Sequence, residues 1–482
     1  MDTLSNTNDI PGLLPGLVSF ILAGVVALLL VRFRAWNLLN TLRCSRLSYA
    51  FLLAGATGVL AIVMAFLQPT MSWGGADAYF ARAVNLVQHG VYGTGLESSA
   101  LFPPGYTFLL LPLTWLLEGS RWAFFLTNLT LLVSAALFVR WALLRLGYRE
   151  GLSNIVSLVI FLSPNRLLST LLPFSDVPFS LLVLGAFLAL IVARGSPGSW
   201  GWLVLCGFLA GAAALVRSSG LLLLVPLAAG FLLPGADVPG RRWRNAALVL
   251  AVACAVLAPW TVRNYVLFDR FVPVSNNGGL NLAVGNNPSN PVARNSVVDS
   301  LWAREEAWAS VGGKEWNEAQ RDSFFASLGV HYMREHPLTT LSLGVQRVAF
   351  TMAADSYSFG ALQTYTNMRT LVFTVMGDRV ANATLRLVAR NIWVAAYHLL
   401  YIVTNAIYYL LLMLVLVALV RRPARDPAVQ TTFVLIVAAA WLLVFVTFGM
   451  SRYKEPIGAL LPVVAFLSLC RPGRGEEPRA CA

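Results

Sequence analysis

Long apolar runs recur along the whole of this chain, and they leave few folds open to it. Runs of roughly 17 to 25 residues, the length that crosses a bilayer as a helix, begin near Gly12, Ser48, Trp122, Leu152, Asp176, Trp200, Gly220, Asn245, Ala395, Val429 and Glu455. A chain of 482 residues that is 57% hydrophobic and only 12% charged is too apolar for a soluble multidomain protein. The expected fold is therefore an all-α polytopic integral membrane protein of about eleven spans.

The arginines order those spans. Arg32, Arg34, Arg43 and Arg46 follow the first run, Arg140, Arg145 and Arg149 the third, Arg194 the fifth, Arg241, Arg242 and Arg244 the seventh, and Arg421, Arg422 and Arg425 the ninth. By the positive-inside rule all of these connections are cytoplasmic, and the parity of the spans agrees. The N-terminus is then outside and the C-terminus inside. The run from Gly12 to Val31 lacks a basic flank before it, so it reads as a retained anchor rather than a cleaved signal. Two more apolar stretches, Pro104 to Leu117 and Leu338 to Ala354, must stay on the outer surface for the parity to hold. The first is short, and the second carries Gln346 and Arg347 within it.

The net charge of +13 is accounted for by this topology. No continuous basic helix or aromatic-studded motif points to nucleic acid. Cys44, Cys206, Cys254, Cys470 and Cys481 lie in spans or on the inner side, so no disulfide or metal framework is implied. His89, His331, His336 and His398 form no HxxH or HExxH pair, and there is no phosphate-binding loop, dinucleotide fingerprint or GxSxG elbow. An ATP-driven pump, a nucleotide-binding domain and an α/β-hydrolase are disfavoured.

Two large outer loops remain, from Gln68 to Arg121 and from Arg263 to about Trp393. In the first, SWGGADAYFARAVNLVQHGVYG (Ser72 to Gly93) predicts an amphipathic helix over Ala76 to Gln88. Tyr79, Phe80, Ala83, Val84 and Val87 fall at helical spacing, and Asp77 lies in the first turn. A carboxylate beside a span is a functional candidate, since holding one at membrane depth costs a few kcal/mol. It is equally an ordinary helix-start carboxylate in water. Asp176, in LLPFSDVPFSLL, is the second candidate. Ser175 and Pro178 make the same segment a routine helix start. Together the two acids can deprotonate an acceptor hydroxyl and hold a divalent cation, Mg or Mn, with Asp176 as the ligand. Arg217 in ALVRSSG, and Arg263 with Asn264 in APWTVRNY, can hold a lipid-linked phosphate by charge-assisted bonds. Each arginine reads equally well as snorkelling to lipid headgroups. Arg452 and Lys454 in SRYKEP are similar but less distinctive. In the second loop, VPVSNNGGLNLAVGNNP favours turns, and Trp302, Trp308 and Trp316 are spaced for a helix at headgroup level.

Taken together, the Asp-bearing outer helix with HGVYG, the PPGY that contains Tyr106, the outer SD, AAALVRSSGLLLL and APWTVRNYVLFDRFVPVSNNGGLNLAVGNNP resemble the bacterial GT-C glycosyltransferases. The likeness is to the dolichyl-phosphate-mannose protein mannosyltransferase and aminoarabinose transferase type, over roughly Leu47 to Pro291 plus the closing RYKEP span. It implies membrane helices with juxtamembrane helices on the outer face, and a polyprenyl-phosphate sugar as donor. Asp77 matches the catalytic acid-base position and Asp176 the second acidic one. Arg217, Arg263, Asn264 and Tyr106 would serve the substrate. The chain departs from the pattern in having one acid where some relatives have an Asp-Glu pair, and in carrying an extra N-terminal span. On this reading the segments are 1–47, the extra span and its arginine-rich connection; 48–262, the catalytic core with outer loop 68–121; 263–393, the long outer loop; and 394–482, the last spans and tail. The expected activity is transfer of a sugar from the lipid phosphate to a hydroxyl of a glycan, lipid or protein, with inversion, at the outer face of a bacterial cytoplasmic membrane. A lipid or glycan flippase and a glycan ligase or polymerase are the competing readings.

Overall fold

The computed structural model describes residues 13–32, 44–67, 78–196, 200–234, 241–288, 316–352, 383–421, 427–447 and 451–470. Among the described residues every regular element is helical. That is the physical expectation in lipid, where a helix satisfies its backbone groups within a single segment.

The first two runs form α1 (Leu13–Arg32) and α2 (Arg46–Leu67). Two short helices follow, α3 (Ala78–His89) and α4 (Gly105–Leu116), where the sequence predicts an amphipathic helix and a stretch too short to cross. Then come α5 (Trp122–Arg145), α6 (Glu150–Phe161), α7 (Pro164–Thr170), α8 (Asp176–Gly195), α9 (Trp200–Val216), α10 (Leu221–Leu232) and α11 (Arg242–Phe268). The long loop after α11 contributes α12 (Gly278–Gly285), α13 (Glu318–Glu335) and α14 (Pro337–Met352). The chain closes with α15 (Ala383–Arg421), α16 (Pro427–Val446) and α17 (Glu455–Leu469).

Every predicted run falls on a helix, but not every helix is long enough to span alone. Six described helices, α2, α5, α8, α11, the Tyr401–Val420 part of α15, and α16, have the length and apolarity to cross a membrane. The pair α6 and α7 would make seven, bent by 53° at the break before Pro164, whose ring cannot continue the preceding helix. Val18–Leu30, α9, Gly220–Leu232 and α17 are apolar but shorter. The protein is an integral membrane protein.

The core is built around α8, whose apolar window is 94% buried while no other candidate span exceeds 50%. It packs on α5, α9, α10 and α17. In turn α9 packs closely on α11, because a Cβ at Gly207 would lie 2.5 Å from the Val249 carbonyl and one at Gly211 2.9 Å from that of Ala253. Small residues four apart let two backbones approach, the usual means of helix association where lipid supplies no hydrophobic drive.

The two ends of the bundle differ chemically. At one, Glu150 accepts from Arg46 at 2.5 Å and from Arg140 at 2.6 Å, and Arg140 also reaches Asn154 at 2.6 Å. The C-terminal parts of α5, α8, α10 and α17 and the start of α16 meet there, as shown by Tyr148 on the Leu467 carbonyl, Gln430 on Ser468, and Arg194 on the Gly230 carbonyl. The opposite end gathers α3, α4, α7, the start of α8, α12 to α14 and the turn Ser451–Lys454. Arg46, Arg140 and Arg194, which the sequence assigns to one side, do lie together at the first end. Arg194 is nevertheless no snorkelling headgroup contact. It is 1% exposed and donates to the carbonyls of Gly230, Leu233 and Pro234 at the C-terminal end of α10.

Replacing Gly211 with Leu is expected to wedge α9 from α11 and destabilise the protein by about 1–3 kcal/mol. A lowered thermal midpoint of the detergent-solubilised chain would register this; an unchanged midpoint would contradict the close packing.

Candidate functional site at the loop-bearing end

Asp176 and Arg217, two separate candidates in the sequence, are partners. Arg217 Nη1 donates to Asp176 Oδ1 across 41 residues of chain, with the side chains 18% and 7% exposed. The guanidinium also lies over the rings of Phe179, at 5.8 Å, and Tyr453, at 5.1 Å. A carboxylate and a guanidinium taken largely out of water hold each other firmly in this way. Ser175 makes no side-chain cap for α8; its hydroxyl points instead to the Tyr79 hydroxyl at 3.4 Å.

Asp77 lies outside the described residues. Two positions on, Tyr79 anchors the first turn of α3 against the Asp176 neighbourhood. Its ring meets those of Phe102 at 5.4 Å and Tyr106 at 5.5 Å, and its carbonyl accepts from the Thr107 hydroxyl at 3.2 Å. Arg82 is 4% exposed, lies over the Phe102 ring at 4.5 Å and donates to the Ala78 carbonyl. Burial pushes its pKa below the ordinary guanidinium value.

The PPGY turn explains how α4 reaches the site. A Cβ at Gly105 would lie 2.6 Å from the backbone of Leu215 and Val216, so only glycine lets α4 sit against the last turn of α9, immediately before Arg217. Tyr106 is fully buried and donates to Asn128 at 3.0 Å, and Asn128 donates to the Leu172 carbonyl at 3.0 Å. Tyr92, from HGVYG, donates to the carbonyls of Phe102 and Pro103 and meets the Trp260 ring edge-on at 4.8 Å.

Arg263 and Asn264 lie among other partners. Arg263 donates to the Ser99 carbonyl at 2.8 Å and to Asn264 at 2.9 Å, and stacks over Trp260 at 4.3 Å. Asn264, fully buried, donates to the carbonyls of Val272 and Val274, and Trp260 also donates to Val274. The APWTVRN block thus pins the following VPVSN segment, whose Ser275 hydroxyl bonds that of Ser218, next to Arg217. As placed, Tyr106 and Asn264 spend their polar atoms inside the protein. Arg347, within the apolar stretch from Leu338, does the same. It is fully buried and donates to the carbonyls of Gly285, Phe445 and Val446 and to Asn286, joining α12, α14 and the end of α16.

A second charged cluster is passed over by sequence reasoning except for Lys454. The turn Ser451–Lys454 sets Tyr453 against Arg217 and sends Lys454, 3% exposed, over the Tyr408 ring at 4.8 Å. Arg166 of α7, 2% exposed, pairs with Glu455 at 2.7 Å and donates to the Ile160 carbonyl, while Asn165 donates to the other Glu455 oxygen at 3.0 Å. These groups, with Asn405 and Tyr408, line a cavity of about 40 Å³, room for a few waters. Lys454 and Arg166 thus share the cavity with the Glu455 carboxylate. The RYKE spacing was the only available signal, since Arg166 comes from a different part of the chain. For the divalent cation expected at Asp176, no three His, Cys, Asp or Glu side chains converge among the described residues, and Asp176 already faces Arg217.

No family model matches the sequence, and no curated protein matches it. Two solved structures are similar in three dimensions. The crystal structure of ArnT from Cupriavidus metallidurans in the apo state is 14% identical, with 76% of this chain and 77% of that one covered and a TM-score of 0.38. The same protein bound to undecaprenyl phosphate is 13% identical, with 84% and 90% covered and a TM-score of 0.40.

Replacing Asp176 with Ala is expected to strand Arg217 and destabilise the protein by about 3 kcal/mol, while the joint change Asp176→Leu with Arg217→Met recovers most of that loss. Thermal midpoints of the three purified variants test this, and equal loss in single and double variants would contradict it.

Proposed function

We propose that this protein is a GT-C glycosyltransferase that moves a sugar from a polyprenyl-phosphate carrier to an acceptor hydroxyl at the extracytoplasmic face. The observation that carries the reading is a pair of buried cations at the loop-bearing end, Lys454 and Arg166, which line one cavity together with Glu455. An anionic lipid head in the bilayer gains most from such a place, because its hydrocarbon tail stays in lipid while its phosphate meets desolvated cations. The sequence blocks that resemble the GT-C enzymes support the same reading. The arginine-rich end would be cytoplasmic by the positive-inside rule, which puts this end, and the N-terminus, outside.

In the reaction, the acceptor oxygen forms a bond to the anomeric carbon as the bond from that carbon to the phosphate oxygen breaks. Asp77 takes the acceptor proton, and the carrier leaves as a phosphate whose new negative charge Lys454 and Arg166 stabilise. Attack from the side opposite the leaving group inverts the anomeric centre. The Asp176–Arg217 pair, held against Tyr453, orients the approach between α3 and the Lys454 turn.

The Asp77→Asn protein should reach normal membrane abundance and lose transfer by about a hundredfold or more, the size of a general-base contribution. Lys454→Met should chiefly weaken donor binding, by about 1.5–3 kcal/mol for one charge-assisted bond. Release of lipid phosphate from a panel of polyprenyl-phosphate sugars measures both. Full release by Asp77→Asn would remove Asp77 from the mechanism, and no release by the unaltered protein from any donor would sink the reading.

A further inference from the structure

Between the SNNGG turn and α13 lies a second small pocket that the donor chemistry does not use. It offers about 60 Å³ and is lined by Asn276, Glu318, Arg321 and Asp322 over an apolar floor of Leu280 and Phe325. Its frame is well tied. Glu318 accepts from the Ser99 hydroxyl and the Ala100 amide, both at 2.6 Å, Asp322 accepts from the Leu280 amide at 3.1 Å, and Asn276 donates its own amide to the Ala100 carbonyl at 2.8 Å. Asn317 and Gln320 form a capping box that fixes the start of α13. Within this frame Asn276 is 4% exposed, yet among the described residues its side-chain Nδ2 has no hydrogen-bond partner. A buried donor left unmade costs about 1–3 kcal/mol, which a ligand atom accepting from it would recover.

The composition selects the ligand. Two carboxylates repel an anion, and Arg321 opposes a bare cation. A hydroxyl both accepts and donates, so adjacent hydroxyls on one ring can accept from Asn276 and donate to Asp322 together. The C–H face of such a ring suits Leu280 and Phe325. Burial holds the Asp322 carboxyl above its ordinary range, with the amides of Leu280 and Gly279 acting the other way. The volume suits the edge of a sugar ring rather than a whole one. The pocket also adjoins the transfer site in the chain: Leu101 lines it, and Phe102 packs on Tyr79 and Arg82 of α3.

We infer that this pocket binds the vicinal-diol edge of a sugar residue in the acceptor; the word acceptor rests on the transferase reading, whereas the diol chemistry does not.

Saturation-transfer NMR on the full-length chain in detergent, with free galactose, mannose and arabinose as probes and inorganic phosphate and magnesium chloride as counter-probes, tests it. At least one monosaccharide should receive saturation at its adjacent carbinol protons. Asn276→Asp, isosteric but lacking the donor, should weaken that binding by about tenfold or more, as should Asp322→Asn. Asn276→Leu keeps the backbone bond to Ala100 and serves as the check if Asp322→Asn fails to fold. No monosaccharide binding, binding unchanged in the Asn276 variants, or a preference for phosphate or magnesium each overturns the proposal. Lipid-phosphate release in the same preparations separates the two ideas. Monosaccharide binding without release sinks the transferase and keeps the pocket, and release without monosaccharide binding does the reverse.

Discussion

The structure depends on how a bundle in lipid satisfies positive charge and helix ends at once. The last carbonyls of a helix have no partner within it and carry the negative end of its dipole. Here they are given to buried arginines from neighbouring helices. Arg194 closes the end of α10, Arg347 the ends of α12 and α16, and Arg166 reaches the Ile160 carbonyl in the last turn of α6. Each contact resolves two costs together, since an isolated guanidinium and an orphan carbonyl are both expensive away from water. The irregular segments that carry the candidate site are held by these clasps and by the Trp260 and Asn264 bonds to Val274.

Charge at the loop-bearing end lies in two arrangements. Asp176 and Arg217 balance one another, which fixes the start of α8 against the end of α9. Lys454 is buried beside Tyr408, Asn405 and Glu455, with Arg166 lining the same cavity. The four-residue turn Ser451–Lys454 joins the two arrangements, with Tyr453 beneath Arg217 and Lys454 over Tyr408.

Much of the helical frame is legible in the sequence, because hydropathy over about 20 residues and the fixed rise of a helix are local properties. Every predicted run lies on a helix, and the two apolar stretches assigned to the surface are the short α4 and the arginine-bearing α14. The break between α6 and α7 is signalled by Pro164, yet its 53° bend depends on packing. At the site, the sequence singles out Asp176 and Arg217 but gives no reason to pair them. It presents Arg263, Asn264 and Tyr106 as substrate groups, whereas their bonds in the fold run to Ser99, to Val272 and Val274, and to Asn128. Arg166 and Arg82 carry no local mark at all, since an arginine headed for burial looks like one headed for the surface.

What can be read without the fold is a helical membrane protein, its apolar runs by length, the grouping of arginines between them, and a short set of candidate acidic and basic residues. Tertiary structure alone decided which of those residues meet. Asp176 and Arg217 become partners because α8 packs on α9. Lys454 and Arg166 share a cavity because α17 is brought beside α7, and Asn276 is left with a donor unmet among the described residues because α13 closes over the SNNGG turn. Local pattern fixes which segments bury themselves, since hydrophobic burial is non-directional, while ion pairs and hydrogen bonds act over a few ångströms and exist only once packing has set the geometry.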